Sequence, residues 1–225
     1  MKKKPVPDAP APTRDRILAA AENLFAEHGY DATSLRDIAM LAETRIGLVS
    51  YHFSTKEALY ETIIERRSSE VGQRRLDFLG QERRKYAPGP IPVSRIIYAY
   101  CWPFLQLSHA AGPEWKSYTK IISSVANSPR WTSLISAYYD PVASVFLGEL
   151  HRTLPASSRD HLTAGFTFMV SAMLGIAAET GRANNLSDGA LQSTEIERIF
   201  SIMLPFVSAG FEAIGVAEEI ESRKR

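Results

Sequence analysis

The sequence predicts an all-α chain in two parts: a three-helix domain with a helix-turn-helix at the N-terminus, and a larger helical domain after it. Three observations carry that prediction. Apolar residues recur at helical spacing along most of the chain, interrupted by Gly and Pro clusters. No window combines strict apolar–polar alternation with hairpin turns, so no sheet is expected. Finally, Thr33–Leu59 (TSLRDIAMLAETRIGLVSYHFSTKEAL) gathers three candidate N-caps, Ser34, Thr44 and Ser54, around a narrow apolar stripe. Such a stretch suits two short helices joined by a tight turn, the second free to enter a groove.

Residues 1–12 are rich in Pro, Ala and Lys and read as a disordered tail. A solvated tail is favoured there over Lys2, Lys3 and Lys4 lying along a DNA backbone. The DNA-binding domain is placed at 13–60. Its first helix runs from a Thr13 cap to about His28, with Ile17, Leu18, Ala21, Leu24 and Phe25 on one face. Gly29 stops it, and Tyr30 is placed to fold back on that face. Leu35, Ile38, Ala39, Leu41 and Ala42 give the second helix its apolar side, and Val49 and Phe53 let the third bury against it. Ser54 and Glu57 form a capping box for a helix over about 55–85.

The remaining domain, 61–220, begins within that long helix. Between Arg66 and Lys85 the helix carries seven basic residues against three acidic ones. A solvated face is favoured over a phosphate-facing strip, because the far end lies about 40 Å from Lys56 along a straight helix. Tyr86–Pro92 ends it by fixing φ and removing N–H donors. Further helices are expected at about 93–110, 114–127, 130–154, 158–182 and 195–215. Pro103, Pro141 and Pro205 should kink or split the helices that hold them.

Composition narrows the class. With 225 residues, 45% hydrophobic and 23% charged, the chain is an ordinary globular sequence, not a disordered or fibrous one. A net charge of +1 means that any phosphate contact must come from locally placed Lys and Arg. The single cysteine, Cys101, excludes a disulfide framework and a Cys-cluster zinc site, and its apolar neighbours predict a buried, inert thiol. MKKKPVPDAPAPT lacks the apolar segment of a secretory signal, and the longest low-charge run, Leu162 to Ala178, falls short of a membrane span of roughly 20 residues. The expected location is the cytoplasm, with no membrane partner, no cofactor and no metal.

GYDATSLRDIAMLAETRIGLVSYHFSTKEAL, from Gly29 to Leu59, resembles the N-terminal domain of the TetR-type transcriptional regulators. The shared features are Gly29-Tyr30, Thr33-Ser34, Ile38-Ala39, Tyr51-His52-Phe53 and Lys56-Glu57-Ala58-Leu59, within a match over about 13–60. The family usually has Ala-Gly-Val-Ser in the turn, where this chain has Ala42-Glu43-Thr44-Arg45. Without the turn Gly, Glu43 is expected to accept an unfavourable φ. With Ser replaced by Arg45, Thr44 is the cap left for the third helix. The resemblance implies a helical effector-binding and dimerising C-terminal domain, a double-stranded operator as partner, and a homodimer.

The expected DNA-contacting residues follow the helix-turn-helix. Thr33 and Ser34 offer hydroxyls at a helix start, suited to a phosphate or to plain capping, and Arg36 projects from the first turn. Arg45 is the candidate for direct base readout, its fork matching guanine O6 and N7. Gly47 is a poor helix residue but permits close approach to DNA. Thr44, Leu48 and Ser50 lie beside it, Leu48 facing a thymine methyl. The resemblance assigns phosphate contacts to Tyr51, His52 and Lys56.

The C-terminal domain is dense in aromatics. Trp102, Phe104, Trp115, Tyr118 and Phe168 are the candidate walls of a pocket for an apolar or amphipathic effector. Phe166, Met173, Ile202 and Phe206, on the two last long helices, are the candidate dimer contacts, the alternative being the core of one monomer. The reading is a ligand-responsive regulator, a repressor that binds a palindromic operator as a dimer and is released by its effector. The alternative is an activator of the same fold. An enzyme using His109, His151, His161 and Asp160 is disfavoured because they form no catalytic spacing, and a protein-interaction adaptor remains as the other rival.

Overall fold

The computed structural model describes residues 12–222, with side chains to residue 214, so the tail expectation falls outside it except at Pro12. Every regular element among the described residues is helical. The chain divides into two compact units between Ile64 and Glu65.

In the first unit, α1 (Thr13–Ala32) is interrupted at Gly29, whose φ of 78° and ψ of 170° only glycine adopts cheaply. Thr13 is the first helical residue rather than the cap, since Pro12 precedes it with its fixed φ and no side-chain cap bond forms. The break at Gly29 returns Tyr30 to the apolar face, where its ring stacks on Phe25 at 5.8 Å and meets the edge of Tyr60 at 5.0 Å. Helix α2 (Leu35–Leu41) starts on a reciprocal capping box between Ser34 and Asp37. Helix α3 (Ile46–His52) starts at Arg45 with no side-chain cap, so Thr44 does not cap it. Helix α4 (Lys56–Tyr86) is capped by Thr55, whose Oγ1 accepts the Ala58 N–H at 3.0 Å; the Ser54–Glu57 expectation was one residue early.

The turn between α2 and α3 solves a backbone problem without glycine. Thr44 N–H donates to Ala39 O at 2.9 Å and Glu43 N–H to Met40 O at 3.1 Å, the paired bonds of a Schellman ending. That motif puts its C′ residue in the left-handed region, and Glu43 sits there at φ 50°. A Cβ at such a φ costs about 1–2 kcal/mol. Glu43→Gly removes that strain but loosens the unfolded chain, so a net gain of about 0.5–1 kcal/mol is expected. Thermal unfolding checks it, and a lower midpoint would contradict the strain.

In the second unit, α5 (Val93–Ala110) is central, packed against α6 (Pro113–Ala126), α8 (Asp140–Thr153), α9 (Arg159–Ala177) and α11 (Ile196–Ser222). The helix expected at 130–154 is instead a short 3-10 turn at Pro129–Trp131, then α7 (Thr132–Tyr138) and α8, divided where Pro141 opens α8. Helices α5 and α11 continue through Pro103 and Pro205. Helix α9 ends earlier than expected, and a five-residue α10 (Arg182–Leu186) fills part of the loop. Gly165 lets α9 approach α11: a Cβ there would lie 2.8 Å from the Phe211 ring.

The basic pairs of α4 divide: Arg66, Arg74, Arg83 and Arg84 are exposed, as a solvated face requires, whereas one arginine of each of the first two pairs turns inward. Arg67 and Arg75 are 6% and 3% exposed and share the helix's inward stripe with Val71, Leu79 and Glu82. Arg83 reaches Glu149 at 2.7 Å, and Arg95 holds Glu82 through two bonds, which lowers that carboxyl below the usual glutamate range.

Candidate nucleic-acid interface and ligand cavity

Helix α3 is held by little. Val49 is its one buried residue, at 0% exposure, and Phe53 follows at 4%. Everything else faces out: Arg45, Ile46, Gly47, Leu48, Ser50 and Tyr51 are all exposed, Tyr51 at 81%. Ile46, Leu48 and Tyr51 thus leave between two-fifths and four-fifths of their surface in solvent on a two-turn helix. Gly47 is similarly unexplained from within, because a Cβ there meets nothing within 4 Å. A glycine that costs the helix about 1 kcal/mol and relieves no internal clash fits close approach by another molecule.

The flanking predicted residues divide into free and committed ones. Arg36 is exposed and available. His52 is half-buried, its ring against Tyr51 and Phe53. Ser34 donates its hydroxyl to Asp37 at 2.6 Å and its N–H at 3.2 Å, which holds the Asp37 carboxyl below the usual range. Its role is the cap. Thr33 is 2% exposed and its hydroxyl hydrogen-bonds to carbonyl oxygens of Gly29 (2.8 Å) and Leu24 (3.2 Å), so it offers nothing to a phosphate. Thr44 contributes backbone bonds in the turn and no cap.

Lys56 needs the largest correction. Its ammonium donates to Tyr30 O at 2.8 Å and Thr33 O at 2.9 Å, and lies 4.3 Å from the Tyr30 ring centre. It ties the end of α1 to the start of α4, with two of its three N–H donors committed to carbonyl oxygens. Charged hydrogen bonds of this kind contribute about 1.5–3 kcal/mol. Lys56→Met is therefore expected to destabilise the first unit by about 2 kcal/mol while leaving the salt slope of DNA affinity unchanged. A lost phosphate contact would instead lower that slope by about one.

Two guanidiniums that sequence reasoning missed lie beside α3. Arg16 shares a shallow hollow with Thr13, Met40, Glu43, Thr44, Arg45 and Leu48. Arg14 stands over the Phe53 ring at 5.3 Å. The available signal was their place in the first turn of α1: Arg16 lies off the apolar stripe, and Arg14 continues it at the helix end, three and four residues before Ile17 and Leu18.

The second unit contains a cavity of about 430 Å³ among α4–α9. Of the predicted walls, Phe104 and Tyr118 line it. Trp115 is buried elsewhere, under the Arg67 guanidinium at 4.9 Å, and Trp102 stacks between Tyr98 and Phe200 at 5.9 and 5.5 Å. Phe168 points away from the cavity and is 70% exposed, whereas Phe166 and Met173, expected at a dimer contact, are 6% and 3% exposed and face the cavity. Ile202 and Phe206 are exposed, at 56% and 79%, as a contact with a second molecule requires.

Arg75 lies in the cavity wall, its guanidinium 3.7 Å from the Tyr100 ring centre and its Nε donating to Tyr100 O at 2.8 Å. Tyr118 and Tyr139 hydroxyls hydrogen-bond to one another there. Burial pushes the Tyr100 and Tyr139 phenols upward in pKa, with Arg75 opposing in each case, so both stay protonated donors. Cys101 is fully buried and pushed up to about 12 by burial, with Arg75 a smaller opposing influence, so it is no nucleophile at neutral pH. His109 faces Glu179 at 3.3 Å on an exposed surface, and among the described residues no group of His, Cys, Asp and Glu is arranged to hold a metal. No described helix is long and apolar enough to cross a membrane.

These features agree with known proteins. The family model described as "Bacterial regulatory proteins, tetR family" matches residues 17–63, and "Tetracyclin repressor-like, C-terminal domain" matches residues 98–210. The HTH-type transcriptional regulator QacR of Staphylococcus aureus is 43% identical over 51 residues, 23% of this chain and 27% of that protein. The HTH-type transcriptional repressor KstR2 of Mycolicibacterium smegmatis is 40% identical over 58 residues, 26% of this chain and 28% of that protein. The matched segments thus span little more than a quarter of those two relatives. A crystal structure of a tetR family transcription regulator from Shewanella sp. PV-4 superimposes with a TM-score of 0.60 at 16% identity, covering 92% of this chain and 97% of that one, which extends the likeness in fold to both units. With its second model alone covering half of the sequence, the chain belongs to the TetR family of bacterial regulatory proteins.

Proposed function

We propose that this chain is a ligand-responsive transcriptional repressor that binds a palindromic operator as a dimer. The observation that carries the reading is the outer face of α3, where Arg45, Leu48 and Tyr51 stand exposed around a glycine with nothing to pack against. Arg45 reads guanine, Leu48 meets a thymine methyl, and Tyr51, His52, Arg36, Arg14 and Arg16 meet the backbone. Two copies reach half-sites one helical turn apart or a multiple of it. Repression is the sign that the name of the KstR2 relative supports. Such a regulator works on the chromosome, in the cytoplasm.

A small apolar or amphipathic effector enters the cavity of the second unit. It binds preferentially the dimer whose recognition helices no longer match adjacent half-sites, and so shifts the population away from DNA. Helix α4, continuous from one unit into the other, is the element through which that preference acts. Selection from a random duplex pool is the direct test. Enrichment of one inverted repeat, with affinity falling steeply as salt rises, is expected. Recovery of no sequence preference would overturn the proposal.

Dimerisation uses the exposed faces of α9 and α11, with Phe168, Ile202 and Phe206. Phe206→Glu is expected to convert a dimer to monomers in sedimentation at micromolar concentration without lowering helix content. An unchanged dimer would remove α11 from the interface.

A further inference from the structure

The cavity wall holds a charge that the protein leaves unneutralised. Arg75 is 3% exposed, yet it forms no ion pair among the described residues. A guanidinium stays protonated at any pH a protein meets, and it carries five N–H donors. Here Nε serves the Tyr100 carbonyl, and one Nη lies 3.6 Å from the Met173 sulfur, a weak acceptor. The other Nη has no protein partner among the described residues and is not sealed from solvent, so it borders the cavity that Arg75 lines.

The surroundings define what would satisfy it. Val71, Tyr100, Phe104, Ile122 and Leu174 form apolar wall around the guanidinium. The charged lining is completed by Asp140 and Arg159, both exposed, so two cations face one anion and Arg75 is the only buried charge among them. The Tyr118–Tyr139 hydroxyl pair, bonded to one another, adds a polar spot on the same wall. A buried cation with spare donors inside an apolar chamber matches a ligand with a carboxylate at one end and a hydrocarbon body. Amines would be repelled, and neutral alcohols would leave the charge unpaired.

We infer that the effector site accepts amphipathic carboxylates, bound head-first to Arg75. This rests on the second-unit cavity being the effector site. Arg75 is a specificity-determining residue on this account, since its fork distinguishes a planar carboxylate from other head groups.

The test uses the full-length dimer and three ten-carbon probes, decanoate, decanol and decylamine, with binding read by calorimetry and by release of the selected operator. Decanoate is expected to bind at least tenfold tighter than the other two. The preference should vanish in Arg75→Met and persist, weakened, in Arg75→Lys. Equal binding, a preference for the alcohol or amine, or binding of none of the three would overturn the inference. So would a decanoate preference that survives Arg75→Met. The comparison among probes on the unmodified protein stands even if Arg75→Met fails to fold. Decanoate bound without operator release refutes the effector role while leaving the carboxylate site intact. A selected operator that no probe releases leaves the regulator standing and refutes the carboxylate ligand.

Discussion

Arg45→Ala is expected to reduce affinity for the selected operator by on the order of 30-fold to 10⁴-fold. The range follows from roughly 1–3 kcal/mol of discrimination for a bidentate arginine–guanine pair, counted once in each half-site of a dimer. The side chain is exposed and makes no bond among the described residues, so thermal stability should change by less than about 0.5 kcal/mol. Binding to random duplex should change far less than binding to the operator, because base contacts carry sequence and phosphate contacts do not. Gly47→Ala sharpens the point, since its two effects have opposite signs. It is expected to stabilise the free protein by about 1 kcal/mol, there being no neighbour within 4 Å for the added methyl to strike. The same methyl should weaken operator binding at least tenfold where the helix backbone meets DNA. Unchanged operator affinity in both variants would move the interface off α3 altogether.

Gly165→Val is expected to cost the second unit about 1–3 kcal/mol through overpacking. The new Cβ would lie 2.8 Å from a ring carbon of Phe211, and that ring is 2% exposed with no room to retreat. For a unit of this size the midpoint should fall by several degrees. Gly175→Ala in the same helix is the control, because its Cβ meets nothing within 4 Å; it should be neutral or slightly stabilising. In a double-mutant cycle, Phe211→Leu should recover part of the Gly165→Val loss, because the two side chains compete for one space. A fully additive cycle would mean that the residue 165 and 211 side chains do not compete for one space between α9 and α11.

The elements that sequence reasoning placed well are those with a local cause. Gly29 can be read because only a positive φ turns Tyr30 back on Phe25, and Ser34 because a cap sits next to the donors it satisfies. Glu43 was legible for the same reason: removing the usual turn glycine forces its replacement into the left-handed region. What escaped depends on partners distant in sequence. Lys56 bonds to carbonyls 26 and 23 residues away, and nothing in its neighbours distinguishes that from a phosphate contact. Arg67 and Arg75 were placed on a solvated face because long basic helices usually have one, whereas apolar neighbours from α5 and α6 cover them. Helix α9 failed in phase. It is apolar around most of its circumference, so Phe166 and Phe168, two positions and about 200° apart, looked equally suited to pocket or interface. The structure sends Phe166 inward and Phe168 outward.

The single-residue anchoring of α3 has a consequence for how such a protein changes over time. With Val49 and the following Phe53 doing the fastening, the outward positions from 45 to 51 are decoupled from folding. A gene duplicate can rewrite its recognition surface one codon at a time, and each intermediate still folds. New operators are then reachable by a path of single substitutions, none of which has to be rescued by a second change in the core.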